Sequence, residues 1–122
     1  MKVKTSELKG TALNWAAAKA KLGGHSLAEF LASRDVRLGI SPSTNWAVGG
    51  PIIEQEQIAL QYYQDGGHEN GGEWVAYVLS GKDDDGFDNT IVTDGPTPLV
   101  AAMRCYVASK FGEEVEISEE LA

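Results

Sequence analysis

Apolar residues at helical spacing stand out near the N-terminus. One stripe, with members three or four residues apart, is formed by Leu8, Ala12, Trp15 and Ala16. Thr5 or Ser6 precedes the stripe, and such residues cap helices because the side-chain oxygen accepts a hydrogen bond from a free backbone N–H. The pattern predicts a helix that begins near Thr5 or Ser6 and ends near Leu22, after a short edge strand at 2–4.

A second helical pattern lies near the C-terminus and is the clearest in the chain. Thr97 and Pro98 suit the N-cap and the first helical position, and Gly112 is placed to end the helix. Its stripe consists of Leu99, Met103, Tyr106, Val107 and Lys110. An acidic tail follows at 113–122, with three apolar residues available to dock, namely Val115, Ile117 and Leu121.

Alternating apolar and polar positions predict a short sheet in the middle of the chain. Segments 58–63 and 74–79 alternate with the period of a strand, and the Gly-rich stretch 65–73 can join them as an antiparallel pair. We expect this pair to form the centre of the sheet. An acidic loop at 81–89 then leads to a brief third strand at 90–92.

The elements together indicate a small α+β domain. Ser26 and Glu29 have the spacing of a capping box, which predicts a short further helix that ends near Arg34 or Asp35. A chain of 122 residues can bury a core without metals or disulfides. We therefore expect one domain over 1–122, with a short antiparallel sheet of two to four strands flanked by helices.

The segment 42–54 differs from the rest because it mixes hydroxyl residues, an Asn, a Trp and a Gly-Gly-Pro turn. Gly49 and Gly50 would let the backbone approach a partner closely. Pro51 suits the first position of a helix of one or two turns, whose free N–H groups would point at that partner. Trp46 has two interpretations, a lid on the core or a platform on which a ligand stacks.

Composition limits the compartment and the chemistry. Hydrophobic residues make up 43% of the chain and charged residues 23%, as in a soluble globular protein. The chain has one cysteine, Cys105, which suits a reducing cytoplasm and is either a small buried apolar side chain or a reactive thiol. With no signal peptide and no apolar run of membrane-spanning length, we expect a cytoplasmic protein without a membrane partner.

Charge separates the two parts of the chain and the partners that they favour. The net charge is −8, but residues 1–53 carry seven Lys/Arg and three Asp/Glu, whereas residues 54–122 carry three Lys/Arg and fifteen Asp/Glu. Such an acidic chain should be repelled by the phosphates of DNA and RNA. It could instead mimic nucleic acid, or cover a basic surface of a host protein.

Known catalytic and metal-binding patterns are missing from the sequence. The acidic run at 83–88 fails the register of an EF-hand, so we interpret it as a solvated loop with at most weak cation binding. His25 and His68 lack the neighbours of a zinc or triad site. We expect no enzyme, no metal and no cofactor; a nucleotide-degrading enzyme would need an acid–base pair that the sequence does not offer.

Three segments resemble the NinX-like proteins of lambdoid phages and prophages, a family of unknown function. They are 1–8 with 12–16, then 42–54, and finally 95–110, which reads Gly-Pro-Thr-Pro-Leu-Val-Ala-Ala-Met-Arg-Cys-Tyr-Val-Ala-Ser-Lys. The resemblance implies a phage accessory protein with a small sandwich-like fold, in which helices flank a short sheet. It implies no catalytic residues, and segment 24–40 is expected to be an insertion.

Two functional hypotheses follow from these observations. In the first, a homo-oligomer sequesters a nucleotide-like immune signal of the host: Trp46 stacks on the base, and the small polar residues Ser43, Thr44 and Asn45 bind sugar or base edges. The backbone amides after Gly49 and Gly50, such as that of Ile52, would take phosphate together with Arg104, which otherwise faces solvent. In the second, the chain inhibits a host protein through its acidic surface.

Overall fold

The computed structural model describes residues 1–22, 41–63, 74–82 and 88–117. In these ranges the order of elements is β1 (Lys2–Lys4), a 3-10 turn (Thr5–Glu7), α1 (Gly10–Leu22), α2 (Trp46–Glu56), β2 (Ala59–Tyr62), β3 (Trp74–Lys82), β4 (Asp88–Gly95), α3 (Pro98–Phe111) and β5 (Glu114–Glu116). These helices and two antiparallel sheets confirm the predicted α+β class. The predicted capping-box helix and insertion within 24–40, and the Gly-rich loop 65–73, lie outside the described residues.

The larger sheet has the strand order β2-β3-β4, and both pairings are antiparallel. Tyr77 of β3 lies opposite Ala59 on one side and Val92 on the other. The predicted pairing of the first two strands is confirmed, but β3 alone is central and β2 lies at an edge. β4 is also longer than the predicted segment 90–92, because its ladder with β3 reaches from Asp88 to Gly95.

A smaller sheet joins the two ends of the described chain. β1 pairs antiparallel with β5, and Val3 lies opposite Val115. The edge strand at 2–4 is therefore confirmed, whereas the predicted acidic tail contains a strand that its alternating charges concealed. Val115 and Ile117 are buried, as expected of docking residues.

Helix α3 lies at the centre of the fold. Thr97 caps it by accepting a hydrogen bond from the Val100 N–H at 3.1 Å, and Gly112 ends it with a φ of +85°, as predicted. The larger sheet, α1 and α2 all contact this helix. Its buried residues consequently cover several faces: Leu99, Ala101, Ala102, Met103, Cys105, Tyr106, Val107 and Ala108. The predicted stripe describes only part of this surface.

The N-terminal helix begins later than predicted, although its apolar stripe is correct. All four residues of that stripe, Leu8, Ala12, Trp15 and Ala16, are buried in the main core. Thr5 does not cap α1, because its hydroxyl donates to the carbonyl oxygens of Gly112 and Glu113 at 3.0 and 3.2 Å. The Thr5 N–H also donates to Glu113 at 2.8 Å. This residue therefore fastens the N-terminus to the end of α3, and α1 starts at Gly10.

Candidate functional site

Helix α2 begins earlier than the sequence predicted, and this changes the proposed ligand loop. Asn45 is the N-cap, and its side-chain oxygen accepts a hydrogen bond from the Ala47 N–H at 2.9 Å. The helix then continues through Gly49, Gly50 and Pro51 to Glu56. The prediction that Pro51 starts the helix is therefore wrong, because an Asn at the preceding cap position satisfies the free amides first. The amides after Gly50 belong to a helix interior, where i−4 carbonyls bind them.

The two glycines of α2 have opposite surroundings. A Cβ at Gly49 would lie 2.4 Å from the Pro42 carbonyl oxygen and 2.7 Å from Leu99 Cδ2. A Cβ at Gly50 would have no atom within 4 Å other than those of its two chain neighbours, one of them Pro51, and of its own helix backbone. Gly49 thus permits close packing of α2 against the preceding turn and α3, and the partner that it approaches is the protein itself.

The polar residues before α2 are partly used by the fold. Ser43 is buried, and its hydroxyl donates to Asn14 Oδ1 at 2.6 Å, which ties the turn to α1. Thr44 is exposed, and its hydroxyl lies 2.6 Å from that of Ser41. Of the three small polar residues predicted to contact a ligand, Ser43 therefore points inward, while Thr44 remains at the surface and Asn45 is half-buried.

The tryptophan of this segment lies outside the core. Trp46 is the first residue of α2 and is 54% exposed, so the interpretation as a core lid is wrong. Ile52, six residues further along the helix, is buried in the main core and offers its side chain to no ligand. Trp74, by contrast, packs against the core and contacts Tyr62 in a tilted arrangement, with ring centroids 5.0 Å apart and an angle of 50° between the ring planes.

Arg104 has a structural role that neither sequence-based interpretation anticipated. It is half-buried, and its Nε donates to the Leu8 carbonyl oxygen at 2.6 Å while its Nη1 donates to that of Asp94 at 2.8 Å. Burial lowers the pKa of Arg104, and the negative charges of Asp94 and Glu7 act in the opposite direction. The guanidinium connects α3, the end of β4 and the segment before α1, and it neither faces solvent nor joins the Trp46 turn.

The other side chains that could take part in chemistry form neither an activated nucleophile nor a metal-binding cluster within the described residues. Cys105 is buried, and burial raises the pKa of its thiol to about 11, so at neutral pH the thiol is protonated and a poor nucleophile. In the described ranges no cluster of three or more His, Cys, Asp or Glu could hold a metal ion. The two histidines and the run 83–87 lie outside those ranges. None of the helices in the described part is both long and apolar enough to cross a membrane.

Two surface grooves lie away from the segment that contains Trp46, residues 41–56. One, of about 490 Å³, runs along β4 and is lined by Thr90, Val92 and other residues discussed below. The other, of about 590 Å³, lies beside Met1, Val3 and Leu8. Neither groove is lined by residues of segment 41–56.

The outer face of the larger sheet exposes apolar side chains that the sequence analysis did not single out. Tyr77, Leu79 and Val92 are 40%, 63% and 54% exposed, and Tyr77 lies directly opposite Val92. The alternation within 74–79 carried this signal, since Ala76 is buried on the inner side while Tyr77 and Leu79 point the other way. Hydrophobic content alone could not show that this face lies outside the core.

These features define a small α+β domain arranged around a buried helix. The family model described as "Bacteriophage P22, NinX" matches residues 4–110. Because the match covers most of the chain, the chain belongs to this NinX family of phage proteins, and the resemblance seen in the sequence is confirmed. β5 follows the matched range. No curated protein matches the chain.

Proposed function

We propose that the chain is a phage accessory protein that acts in the host cytoplasm, without catalysis, by binding a basic surface of a host protein. The observation that carries this proposal is the state of the cations in the acidic part of the chain. Of the three Lys/Arg in 54–122, Arg104 binds internal carbonyls and Lys110 forms an ion pair with Glu56 at 2.8 Å. Exposed acids such as Glu54 and Glu114 therefore create a negative field that these two cations do little to offset.

Exposed apolar residues support a protein as the partner. Stable interfaces combine an apolar, aromatic centre with a polar rim. Tyr77, Leu79 and Val92 supply such a centre on the outer sheet face. A small ligand would need a concave site that buries most of its surface, and the two grooves described above do not include the Trp46 turn.

The test is capture of host proteins by the immobilised full chain, with bound proteins eluted by rising salt and identified. We expect a basic protein that elutes early in the gradient, because exposed charge pairs are screened by salt. The double variant Glu54→Gln/Glu114→Gln should weaken capture. The control Lys9→Gln/Lys21→Gln changes the same number of exposed charges in the basic part and should leave capture intact. No capture at low salt, or equal effects of both variants, would refute the proposal.

A nucleotide-like ligand remains the second candidate because Trp46 is exposed beside Thr44 at the start of α2. Its contacts are fewer than first expected, since Ser43, Gly49 and Ile52 pack internally. Calorimetry against cyclic dinucleotides and ADP-ribose derivatives tests it. We would expect heat of binding that Trp46→Ala removes and Trp74→Phe retains; no heat with any compound would leave the idea without support. Whether the chain forms the predicted homo-oligomer stays a prediction, which sedimentation equilibrium measures.

A further inference from the structure

β4 forms an edge of the larger sheet, and a groove runs along its free side. Residues 90–93 of β4 line one wall of this groove, and residues 4–6 and 112–114 line the other. Ala108 of α3 contributes to the lining, and the groove has a volume of about 490 Å³. The groove thus separates β4 from the β1 and β5 pair.

The backbone of β4 directs hydrogen-bonding groups into this groove. The Asp94 carbonyl oxygen accepts a charge-assisted hydrogen bond from Arg104 Nη1 at 2.8 Å, which favours a direction away from β3, whereas the Ile91 carbonyl oxygen receives only a weak thiol contact from Cys105 at 3.7 Å. In an antiparallel strand, a residue turns its N–H and C=O to the same side, and successive residues alternate. Val92 and Thr90 lie two and four positions before Asp94 in the strand, so their N–H and C=O groups face the groove as well.

Between the register irregularity of the β3–β4 ladder and the buried Asp94, residues 90–93 lack the features by which proteins usually protect free strands. Such protection consists of Lys or Pro residues, bulges or inward-pointing charges. Residues 90–93 read Thr-Ile-Val-Thr, all β-branched and all favourable for strands. An added strand would find both backbone partners and a neighbouring apolar surface, since Val92 lies beside the exposed Tyr77.

The opposite wall limits what can occupy the groove. Thr5 holds this wall together through its hydrogen bonds to Gly112 and Glu113. Arg104 also connects β4 to the Leu8 carbonyl oxygen on the same side. A second copy of the chain would have to place a whole sheet beside this wall, whereas a single extended segment requires much less space.

The charge at the groove favours a basic occupant. Glu113 and Glu114 line it, and the only cation among the lining residues is Lys4, which lies opposite Glu114 in the β1–β5 ladder. Lys or Arg side chains flanking the added strand would meet this surplus of negative charge.

We propose that β4 binds an extended segment of a partner protein as an additional strand, with β-branched residues opposite Thr90 and Val92 and a Lys or Arg near Glu113. Strand addition of this kind obtains affinity from main-chain hydrogen bonds and specificity from alternate side chains. The inference rests on the proposed function, because it assigns the place and the mode by which a basic partner binds.

The first experiment uses a defined peptide, acetyl-Lys-Thr-Val-Thr-Val-Lys-amide, titrated into the ¹⁵N-labelled full chain. We expect amide shifts at residues 90–93 and 113–114, and slower hydrogen exchange of the Val92 and Thr90 amides. The same peptide with Glu in place of both Lys should bind at least about tenfold more weakly. A peptide N-methylated at alternate residues should not bind, since it cannot complete the ladder. Equal binding of the N-methylated peptide would overturn the proposal.

Matched variants test the position of the site. Val92→Lys and Leu79→Lys add the same charge to the same sheet face, one at the free edge and one on the central strand β3. We expect Val92→Lys to weaken the binding of the basic peptide at least about tenfold, and Leu79→Lys to change its affinity less than about threefold. Val92→Pro, which removes an N–H that β3 does not use, should also abolish binding while thermal unfolding shows a folded chain. Equal effects of the two Lys variants would refute the site.

Two further outcomes separate this inference from the proposed function. If the chain dimerises in sedimentation experiments and Val92→Lys abolishes the dimer, a second copy occupies β4 and the inference is wrong. If a basic host protein is captured equally by the wild-type chain and by Val92→Pro, the partner binds elsewhere and only the inference fails. If no host protein is captured but the basic peptide binds at β4, the proposed function fails and the strand-binding groove stands.

Discussion

Replacing the two neighbouring glycines of α2 by alanine should change stability to very different extents. Both substitutions are Gly→Ala within one helix, and neither glycine has a positive φ. Alanine is favoured over glycine in a helix interior by about 1 kcal/mol. Any difference between the two variants therefore reports what the new methyl group contacts.

The magnitude follows from the surroundings of each position. At Gly49 the methyl carbon would lie 2.4 Å from a backbone oxygen of Pro42 and 2.7 Å from Leu99 Cδ2. Carbon contacts are favourable at about 3.5–4.0 Å, so α2 would have to move by roughly 1 Å. Overpacking costs about 1–3 kcal/mol, and because a backbone atom must move here we expect the upper end, about 3 kcal/mol. The helix gain of about 1 kcal/mol then leaves a net loss of about 2 kcal/mol. At Gly50 the only new contact is with Pro51, whose Cδ disfavours a Cβ on the preceding helical residue, so this contact offsets the helix gain and stability should change by less than about 0.5 kcal/mol.

Urea unfolding followed by circular dichroism measures both changes, and Gly49→Ala/Gly50→Ala tests whether they add. The expected signature is a lower midpoint for Gly49→Ala and a midpoint close to that of the wild-type chain for Gly50→Ala, with the same denaturant slope. A Gly49→Ala variant as stable as Gly50→Ala would show that α2 does not pack against Pro42 and Leu99 as described. The predicted ligand loop at 43–50 would then regain support.

Three further predictions concern buried polar groups. Arg104→Met should lower the free energy of unfolding in urea by about 3 kcal/mol, because it removes charge-assisted hydrogen bonds to two carbonyls. The control Lys110→Met, on the same helix, removes an exposed ion pair and should cost less than about 1 kcal/mol. Similar losses for the two variants would contradict this prediction. Burial raises the pKa of the Cys105 thiol from 9.0 to about 11, so as the pH rises the unfolded state loses this proton before the folded state does. The thiol's contribution to stability is therefore complete below pH 9 and is lost as the pH rises through 11. Cys105→Ala should flatten the stability profile in this window, and an unchanged profile would count against it. Ser43→Ala should cost about 1 kcal/mol, and in a double-mutant cycle Asn14→Ala should add less than its separate effect; full additivity would show that the two side chains are not coupled.

Local signals in the chain were sufficient for much of the fold. Thr97, Pro98 and Gly112 mark the ends of α3 because caps and helix stops depend on adjacent backbone groups. The N-terminal stripe and the alternation at 74–79 identified a helix and a strand, since a fixed period brings apolar residues to one face. The family resemblance was also readable from the sequence and is confirmed over residues 4–110.

Signals of the same local kind were misleading where distant groups competed for one residue. Thr5 looks like a helix cap, but the carbonyls at the end of α3 bind its hydroxyl instead. Arg104 looks like a surface or anion-binding residue, yet it crosses to Leu8 and Asp94. The role of each residue depends on hydrogen-bond partners that the local sequence does not show. Thr5 and Arg104 each bind a residue about a hundred positions away, and Arg104 also binds the end of a strand of the larger sheet.

The chain's pattern of residues therefore established most of the helices and strands, the small α+β class, the family and the uneven charge. Its folding in three dimensions decided the strand β5, the start of α2, the close packing at Gly49, the exposure of Trp46 and the position of β4 at an edge of the sheet within the described residues. Capping and periodicity act between neighbours and leave a mark in the sequence. Burial and edge position arise only when segments distant in the chain compete for the same space and the same hydrogen bonds.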